Sequence, residues 1–303
     1  MMSVSDFISL PKIDAHNHLN LGMRYASYAP WAGFYIPNFP RKMKGLDEMH
    51  VIIGEYTRPR TKTMRDVTDL LVLSINDAIA DGVKVLEGSI DIGFVNHCGR
   101  VDAFLDMVQN ITDKFKGKIN LRPELGLGKT FDIDKIREWA PPCIESGFFN
   151  SIDLDGPEVE EGIETFQPIF DLAGKKGVKR KAHVGEFSNA ASVKNFIEAF
   201  NLEEVQHGIG AVQDDSVLQF IKDRDLRLNV CPESNVMLGA VKNLESHPIK
   251  KLVETGIRVS IATDDLLFFG KTVSEQAFDL VNKNVLTEEQ VKKIFASNVA
   301  EYQ

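Results

Sequence analysis

Eight short runs of β-branched and apolar residues alternate with longer amphipathic stretches along this chain, and that rhythm constrains its fold more than any other feature. The runs fall at residues 12–15, 83–86, 119–121, 151–154, 178–182, 204–206, 227–231 and 257–262. From the second onward they recur roughly every 25–35 residues, the spacing of a repeated strand and helix unit. Helical patterns lie between them. In 64–80 the apolar residues Val67, Leu70, Leu71, Ile75 and Ile79 keep the helical period, and Asp81-Gly82 ends it. Residues 216–221 and 249–254 read the same way, with Gly256 where a C-terminal cap belongs. The expected architecture is α/β, a single (β/α)8 TIM barrel over residues 1–303, a normal length for one such barrel.

The first gap departs from the rhythm. Residues 20–63 carry Tyr25, Tyr28, Trp31, Phe34, Tyr35 and Phe39 with Pro30, Pro37, Pro40 and Pro59, too long and too aromatic for a connector. An insertion after the first strand lies over the C-terminal mouth of the barrel, where loops build the site. It is read as a lid insertion, with a packed structural insertion as the alternative.

Composition narrows the partners. The net charge is 35 − 44 = −9, which repels a phosphate backbone, so no nucleic-acid polymer is expected. The cation-rich run of Lys175, Lys176, Lys179, Arg180 and Lys181 suits a helix end followed by a strand. Cys98, Cys143 and Cys231 are odd in number and form no CxxC, as free thiols in a reducing compartment do. No basic and apolar leader opens the chain, and no window reaches the ~20 apolar residues of a membrane span. A cytoplasmic protein with no membrane partner is expected.

Chemistry-bearing residues gather where strands end. His16 and His18 are two apart, so in a strand they point to one face. Alone, such a pair also arises from core or exposed histidines. However, His183 ends the fifth run, His207 the sixth, and Asp264 and Asp265 the eighth. Four strand ends of one barrel carrying His or Asp suit a catalytic metal site that keeps a position for water. Imidazole and carboxylate suit Zn2+ and also Fe2+. A purely structural site has no use for Glu186, His207 or Asp265 nearby, although His207 and Asp265 could serve as partners that orient ligands.

Taken in order, the motifs resemble those of the adenosine deaminase family. Residues 10–19, LPKIDAHNHL, resemble its L-P-K-x-[ED]-x-H-x-H-L opening. His183-Val184-Gly185-Glu186 resembles H-A-G-E, and His207-Gly208 the end of G-H-G. Asp153-Leu154-Asp155-Gly156 resembles D-L-x-G, and Cys231-Pro232-Glu233-Ser234-Asn235 resembles C-P-x-S-N. His247-Pro248, Gly256 and Thr263-Asp264-Asp265 complete the series. The resemblance implies one divalent metal, Zn2+ or alternatively Fe2+, held by His16, His18, His183 and Asp264. It implies that Glu186 protonates the purine ring nitrogen beside the amino-bearing carbon. His207 would orient or deprotonate the attacking water. Asp265 would bond the imidazole side of the purine, and the Gly156 N–H the other ring edge. The implied partner is a small purine, and the implied reaction is hydrolytic release of its amino group as ammonia.

Three positions depart from the pattern: Asn20 replaces an acidic residue that engages the sugar, Gln206 the first Gly of G-H-G, and Leu266 a Pro after T-D-D. The sugar side is altered while the proton-transfer set is intact. An unmodified adenosine is therefore not the expected best substrate, and Asn20 stays a candidate substrate contact. His50 is read as a surface or packing residue, His97 as a residue at the mouth, and His247 as structural at a helix start. Two other classes stand beside deamination: an amidohydrolase cleaving another C–N bond, and a purine-binding protein with a vestigial metal site.

Overall fold

The structure is a computed structural model that describes residues 2–33 and 42–303. Eight parallel strands run β1 Lys12–His18, β2 Val83–Asp91, β3 Asn120–Gly128, β4 Ser151–Asp155, β5 Lys179–Val184, β6 Glu204–His207, β7 Arg227–Val230 and β8 Arg258–Ile261. They hydrogen-bond in sequence order. After β8 the chain returns to β1: Asn17 bridges Asp264, and the Asp264 N–H donates to the His16 carbonyl at 2.8 Å. The sheet is thus a nearly closed barrel with helices between its strands, the TIM barrel that the sequence rhythm predicts.

The helices form where their apolar stripes can be buried. Met64–Ala80 is opened by a Thr63/Asp66 capping box and buries Val67, Leu70, Leu71 and Ile75. Gly82 follows at φ +78°, and a Cβ there would lie 2.1 Å from the Ile8 carbonyl oxygen. Glycine is therefore required where this helix turns into β2. The cation-rich run splits as expected, with Lys175 and Lys176 in the last turn of helix Gln167–Lys176 and Lys179 opening β5.

Six strands run further than the sequence runs suggest, β4, β5 and β6 by one or two residues and β1 to His18, β2 to Asp91 and β3 to Gly128 by three or more. The extensions of β1 and β2 are largely polar or glycine, so no apolar run announces them and ladder pairing carries them to the mouth, whereas in β3 Leu121, Leu125 and Leu127 keep a period of two that a search for continuous apolar runs passes over. β1 also holds an irregularity. Asp14 pairs with Leu86 and Asn17 with Gly88, so three steps on β1 face two on β2. The extra residue lets Ala15 join a small cluster with Ile13 and Val85, while His16 still faces the other histidines.

One inward layer below His183 the barrel interior is ionic. Lys181 Nζ lies 2.7 Å from Glu87, 2.8 Å from Glu124 and 3.4 Å from Glu204. Arg227 bonds Glu87 and Glu204 at 3.1 and 2.8 Å, and the Tyr302 hydroxyl donates to Glu87 at 2.7 Å. All three carboxylates are buried.

The 20–63 segment supplies helices Tyr25–Ala32 and Leu46–Ile52 and a π-helical turn Ile53–Thr57. Tyr28, Met43 and Met49 pack with Leu238, Leu267 and Phe269 in a second apolar cluster at the mouth. Phe34, Tyr35, Pro37, Phe39 and Pro40 of the expected lid lie outside the described residues.

Candidate active site

The mouth of the barrel encloses a cavity of about 530 Å³. Asn20, Gly156, Glu186, His207, Asp264 and Asp265 line it, together with His18 and His183. His16 sits buried beneath, its ring centroid 4.6 Å from that of His183 and 5.1 Å from that of His18. Ligand-type atoms of His16, His18 and His183 lie within 4.8 Å of one another, and the same holds for His16, His207 and Asp264. Asp264 Oδ1 is 3.4 Å from His16 Nε2 and 3.6 Å from His18 Nε2. The site residues expected from sequence therefore meet in one place.

Backbone conformation aims two of them. His207 and Asp264 adopt φ +62° and +59°, a left-handed state that non-glycine residues rarely take and that costs about 1–3 kcal/mol each. Both lie where the strand pattern ends, and the turn brings His207 Nε2 to 3.8 Å from Asp264 Oδ2.

The donor set fits a metal ion. Both ring nitrogens of His16 are buried without a hydrogen-bond partner, a costly arrangement unless something binds there. His183 Nδ1 lies 3.0 Å from the buried Asp153 carboxylate, the usual partner for the outer nitrogen of a metal-ligating imidazole. Burial holds His183 and His207 neutral, well below the usual histidine range, and a neutral ring is the form that ligates. Ser234 Oγ donates to Asp264 Oδ2 at 2.6 Å, which accounts for that serine as a partner of Asp264. Burial also pushes the Cys231 thiol well up, so it is no nucleophile.

A relay of hydrogen bonds links Glu186 to the remaining imidazole. The Ile249 N–H donates to His247 Nδ1 at 3.0 Å. Burial pushes His247 down to about 3, so the neutral ring carries its proton on Nε2, 3.2 Å from Asn235 Oδ1. That contact orients the Asn235 amide. Its Nδ2 then donates to Glu186 Oε1 at 2.7 Å and meets His207 Nδ1 at 3.1 Å. His207 consequently accepts at Nδ1 and bears its proton on Nε2, toward Asp264. Burial, with the Asp264 and Glu158 carboxylates adding to it, drives Glu186 well above the usual carboxyl range. With Oε1 accepting from Asn235, Oε2 is the oxygen placed to carry a proton. Asp265 is likewise driven up by burial and by Asp264, and its Oδ1 is buried without a partner.

Gly156 adopts φ +99°, and a Cβ there would meet nothing nearer than 3.7 Å. The left-handed backbone, rather than crowding, calls for glycine at this lip of the cavity. His97 lines the cavity, as its position at the mouth predicts, with Nε2 3.1 Å from the Thr61 carbonyl. His50 also lines it, on an exposed helix face, so its reading as a surface or packing residue is incomplete. His247 caps its helix as expected but also anchors Asn235, a role that a His-Pro pair does not announce. Asp153, Glu158, Asn235, Asp91 and Asp155 were missed as site residues. The strand-end rule that points to His183 also points to Asp155, directly after the 151–154 run, whereas Asp91 closes a strand that extends five residues past its apolar run; both line the cavity.

Three imidazoles and a carboxylate thus gather at the C-terminal mouth of a (β/α)8 barrel, a donor set that suits a metal ion. Residues 55–301 match the adenosine deaminase family, and the chain belongs to that family. Its members are hydrolases acting on C–N bonds of cyclic amidines, and its reaction is the hydrolytic deamination of an aminopurine. A relative from Treponema pallidum (strain Nichols), provisionally assigned as an adenosine/adenine deaminase, is 54% identical over 98% of this chain and 99% of its own. The structure of adenine deaminase from Arthrobacter aurescens superposes with a TM-score of 0.82 at 21% identity, covering 96% of this chain and 93% of that one. An amidohydrolase from Burkholderia ambifaria with bound Zn superposes with a TM-score of 0.81 at 20% identity, covering 99% and 88%.

Proposed function

We propose that this chain deaminates an aminopurine base or nucleoside, with Zn2+ held by His16, His18, His183 and Asp264. Fe2+ is the alternative that the same donors accept. One observation carries this reading: His16, His18, His183 and Asp264 gather at one cavity beside a buried carboxyl, Glu186, that burial and neighbouring carboxylates drive above the usual carboxyl range. Such an ion supplies a water acidified from about 15.7 to about 7, hence a nucleophile at neutral pH.

The protein's own groups do the rest. Glu186 Oε2 gives its proton to the ring nitrogen beside the amino-bearing carbon, which lowers the cost of breaking aromaticity as water adds there. His207, protonated on Nε2, orients the water rather than deprotonating it. Asp265 takes the imidazole edge of the purine, and the Gly156 N–H takes the opposite ring edge. The C–N bond then breaks and the amino group leaves as ammonia: of the two protons of the added water, one goes to the departing nitrogen and one restores Glu186, while the ring nitrogen keeps the proton it received. The segment Leu46–Thr57 walls the cavity and acts as the lid, with Leu46, Met49 and Ile53 shielding the ring from solvent. Among the described residues no helix is long and apolar enough to cross a membrane, and three free thiols suit a cytoplasmic site. A vestigial purine binder has no need of a carboxyl held protonated beside a metal site.

Asn20 faces the cavity where a sugar-engaging carboxylate would stand. A neutral amide loses the charge-assisted part of a hydroxyl bond, on the order of tenfold in kcat/KM. The test is release of ammonia from adenine, adenosine, deoxyadenosine and pterins, and of methylamine from N6-methylated adenines, on protein of known metal content. Turnover of a purine that stops on chelation and returns with Zn2+ is expected, with adenosine improved by Asn20→Asp. No ammonia or methylamine from any purine by zinc-loaded protein would overturn the reading.

A further inference from the structure

The loop that follows β5 carries Glu186, and its backbone is arranged around a carboxylate from another strand. Glu158 lies two residues beyond Gly156, after β4. Its Oε1 accepts from the Glu186 N–H at 2.7 Å. Its Oε2 accepts from the N–H groups of Gly185, Phe187 and Ser188 at 3.1, 3.1 and 2.7 Å. Four consecutive amides therefore converge on one side chain, an anion-binding concavity filled from within the protein. The loop's other side rests on the β6 turn, where the Gly210 N–H donates to the Gly185 carbonyl at 2.7 Å. Gly185 sits at φ +79°, and a Cβ there would lie 2.4 Å from Val193 Cγ2. The strand-end turn bearing Glu158 is itself tied to the end of β3, since the Lys129 N–H donates to the Asp155 carbonyl at 2.9 Å and Lys129 Nζ to the Pro157 carbonyl at 2.9 Å.

We infer that Glu158 is a positioning residue for catalysis: by gathering the amides of residues 185–188 it sets the place from which Glu186 reaches the purine ring nitrogen. The inference rests on the reading of Glu186 as proton donor. It further implies coupling, because the 156–158 turn presents both the Gly156 ring-edge contact and the Glu158 anchor. A purine seated on Gly156 therefore bears on the same short segment that holds its acid. Misplacement of a reacting group by about 1 Å costs up to 10²-fold in rate, so the effect belongs in kcat rather than in KM.

Glu158→Ala and Glu158→Gln, each loaded with Zn2+, are compared with the parent and with Glu186→Gln for metal content, melting temperature, kcat and KM. The expected result for Glu158→Ala is about a 10–100-fold fall in kcat, KM within about threefold and metal unchanged. Glu158→Gln recovers part of the rate, because one amide oxygen still accepts while its NH2 opposes the remaining donors. The double variant Glu158→Ala with Glu186→Gln is no slower than Glu186→Gln alone, as for two groups acting through one step. Losses that add in the double variant, an unchanged kcat in Glu158→Ala, or loss of metal or fold in both single variants would each overturn the inference. If Glu186→Gln itself turns over at the parental rate, the proton-donor reading fails instead.

Discussion

Glu186 and His207 share one donor, and the distances at the mouth make each a different kind of reagent. Asn235 Nδ2 spans 2.7 Å to Glu186 Oε1 and 3.1 Å to His207 Nδ1. Glu186→Gln keeps that contact but has no acidic proton, so a 10²–10⁴-fold loss of turnover with unchanged metal content is expected. A loss under threefold would remove Glu186 from proton transfer. The sign of the pH dependence follows from the same burial. Glu186 is raised by burial and by neighbouring carboxylates, so its acid form extends to higher pH than that of an ordinary carboxyl, and activity falls as pH rises through the raised value. In a kcat profile of the metal-loaded enzyme that basic limb should be present in the parent and absent from the residual rate of Glu186→Gln. Asn235→Ala strips both groups of their shared partner and should cost about 10–100-fold in kcat, the usual weight of such supporting bonds. A parental kcat in Asn235→Ala would show that the relay from His247 is decoration.

At the scale of elements, the site is a set of strand ends, each bent in its own way. β1 spends one extra residue before His16, β6 and the segment after β8 end in left-handed His207 and Asp264, and β5 passes through Gly185 into the Glu186 loop. Gly185 tests this most directly. Alanine there meets both a disfavoured φ and a 2.4 Å approach to Val193 Cγ2. Gly185→Ala should destabilise the fold by about 1–3 kcal/mol and lower kcat more than it raises KM, because the loop it displaces holds the acid rather than the ring. Urea unfolding alongside steady-state kinetics reads both, and an undisturbed variant on both counts would mean that the loop tolerates a shift. The 20–63 segment is the contrasting element. It packs through Tyr28, Met43 and Met49 onto Leu267 and Phe269, so its place on the mouth is set by apolar contact rather than by strand pairing.

Seen as one molecule, the barrel sets its reactive layer on an ionic one. Lys181 is fully buried among Glu87, Glu124 and Glu204, two residues before His183 on the same strand. Removing one partner of such a network leaves buried charge uncompensated. Lys181→Met should therefore cost about 3–5 kcal/mol in denaturant unfolding. Loss below ~1 kcal/mol would mean that the carboxylates simply take up protons. The layer is also tied to residues near the end of the chain, since Arg227 meets Glu301 at 2.9 Å and Tyr302 reaches Glu87. Strands from across the barrel are thus locked together immediately beneath the proposed metal donors, which holds their spacing.

The sequence by itself determined the barrel and most of its reactive mouth. Strand and helix periodicity are local properties, so eight apolar runs and the 64–80 stripe could be read directly. His16, His18, His183, His207, Asp264 and Asp265 were legible because a parallel barrel puts every strand end on one rim, so position along the chain maps onto position in space. The roles proposed for them rest on motif resemblance. Only the tertiary structure decided which groups support them. Asn235 meets Glu186 49 positions away in the chain, Glu158 meets the 185–188 amides about 30 away, and Lys181 meets Glu87 94 away. Such pairings leave no periodic trace, since a hydrogen bond across a barrel depends on register, bulges and left-handed turns that no local preference specifies. For the same reason the protonation of Glu186 and the tautomer of His207 belong to the folded molecule: both arise from burial and from partners that the chain brings together only when the barrel closes.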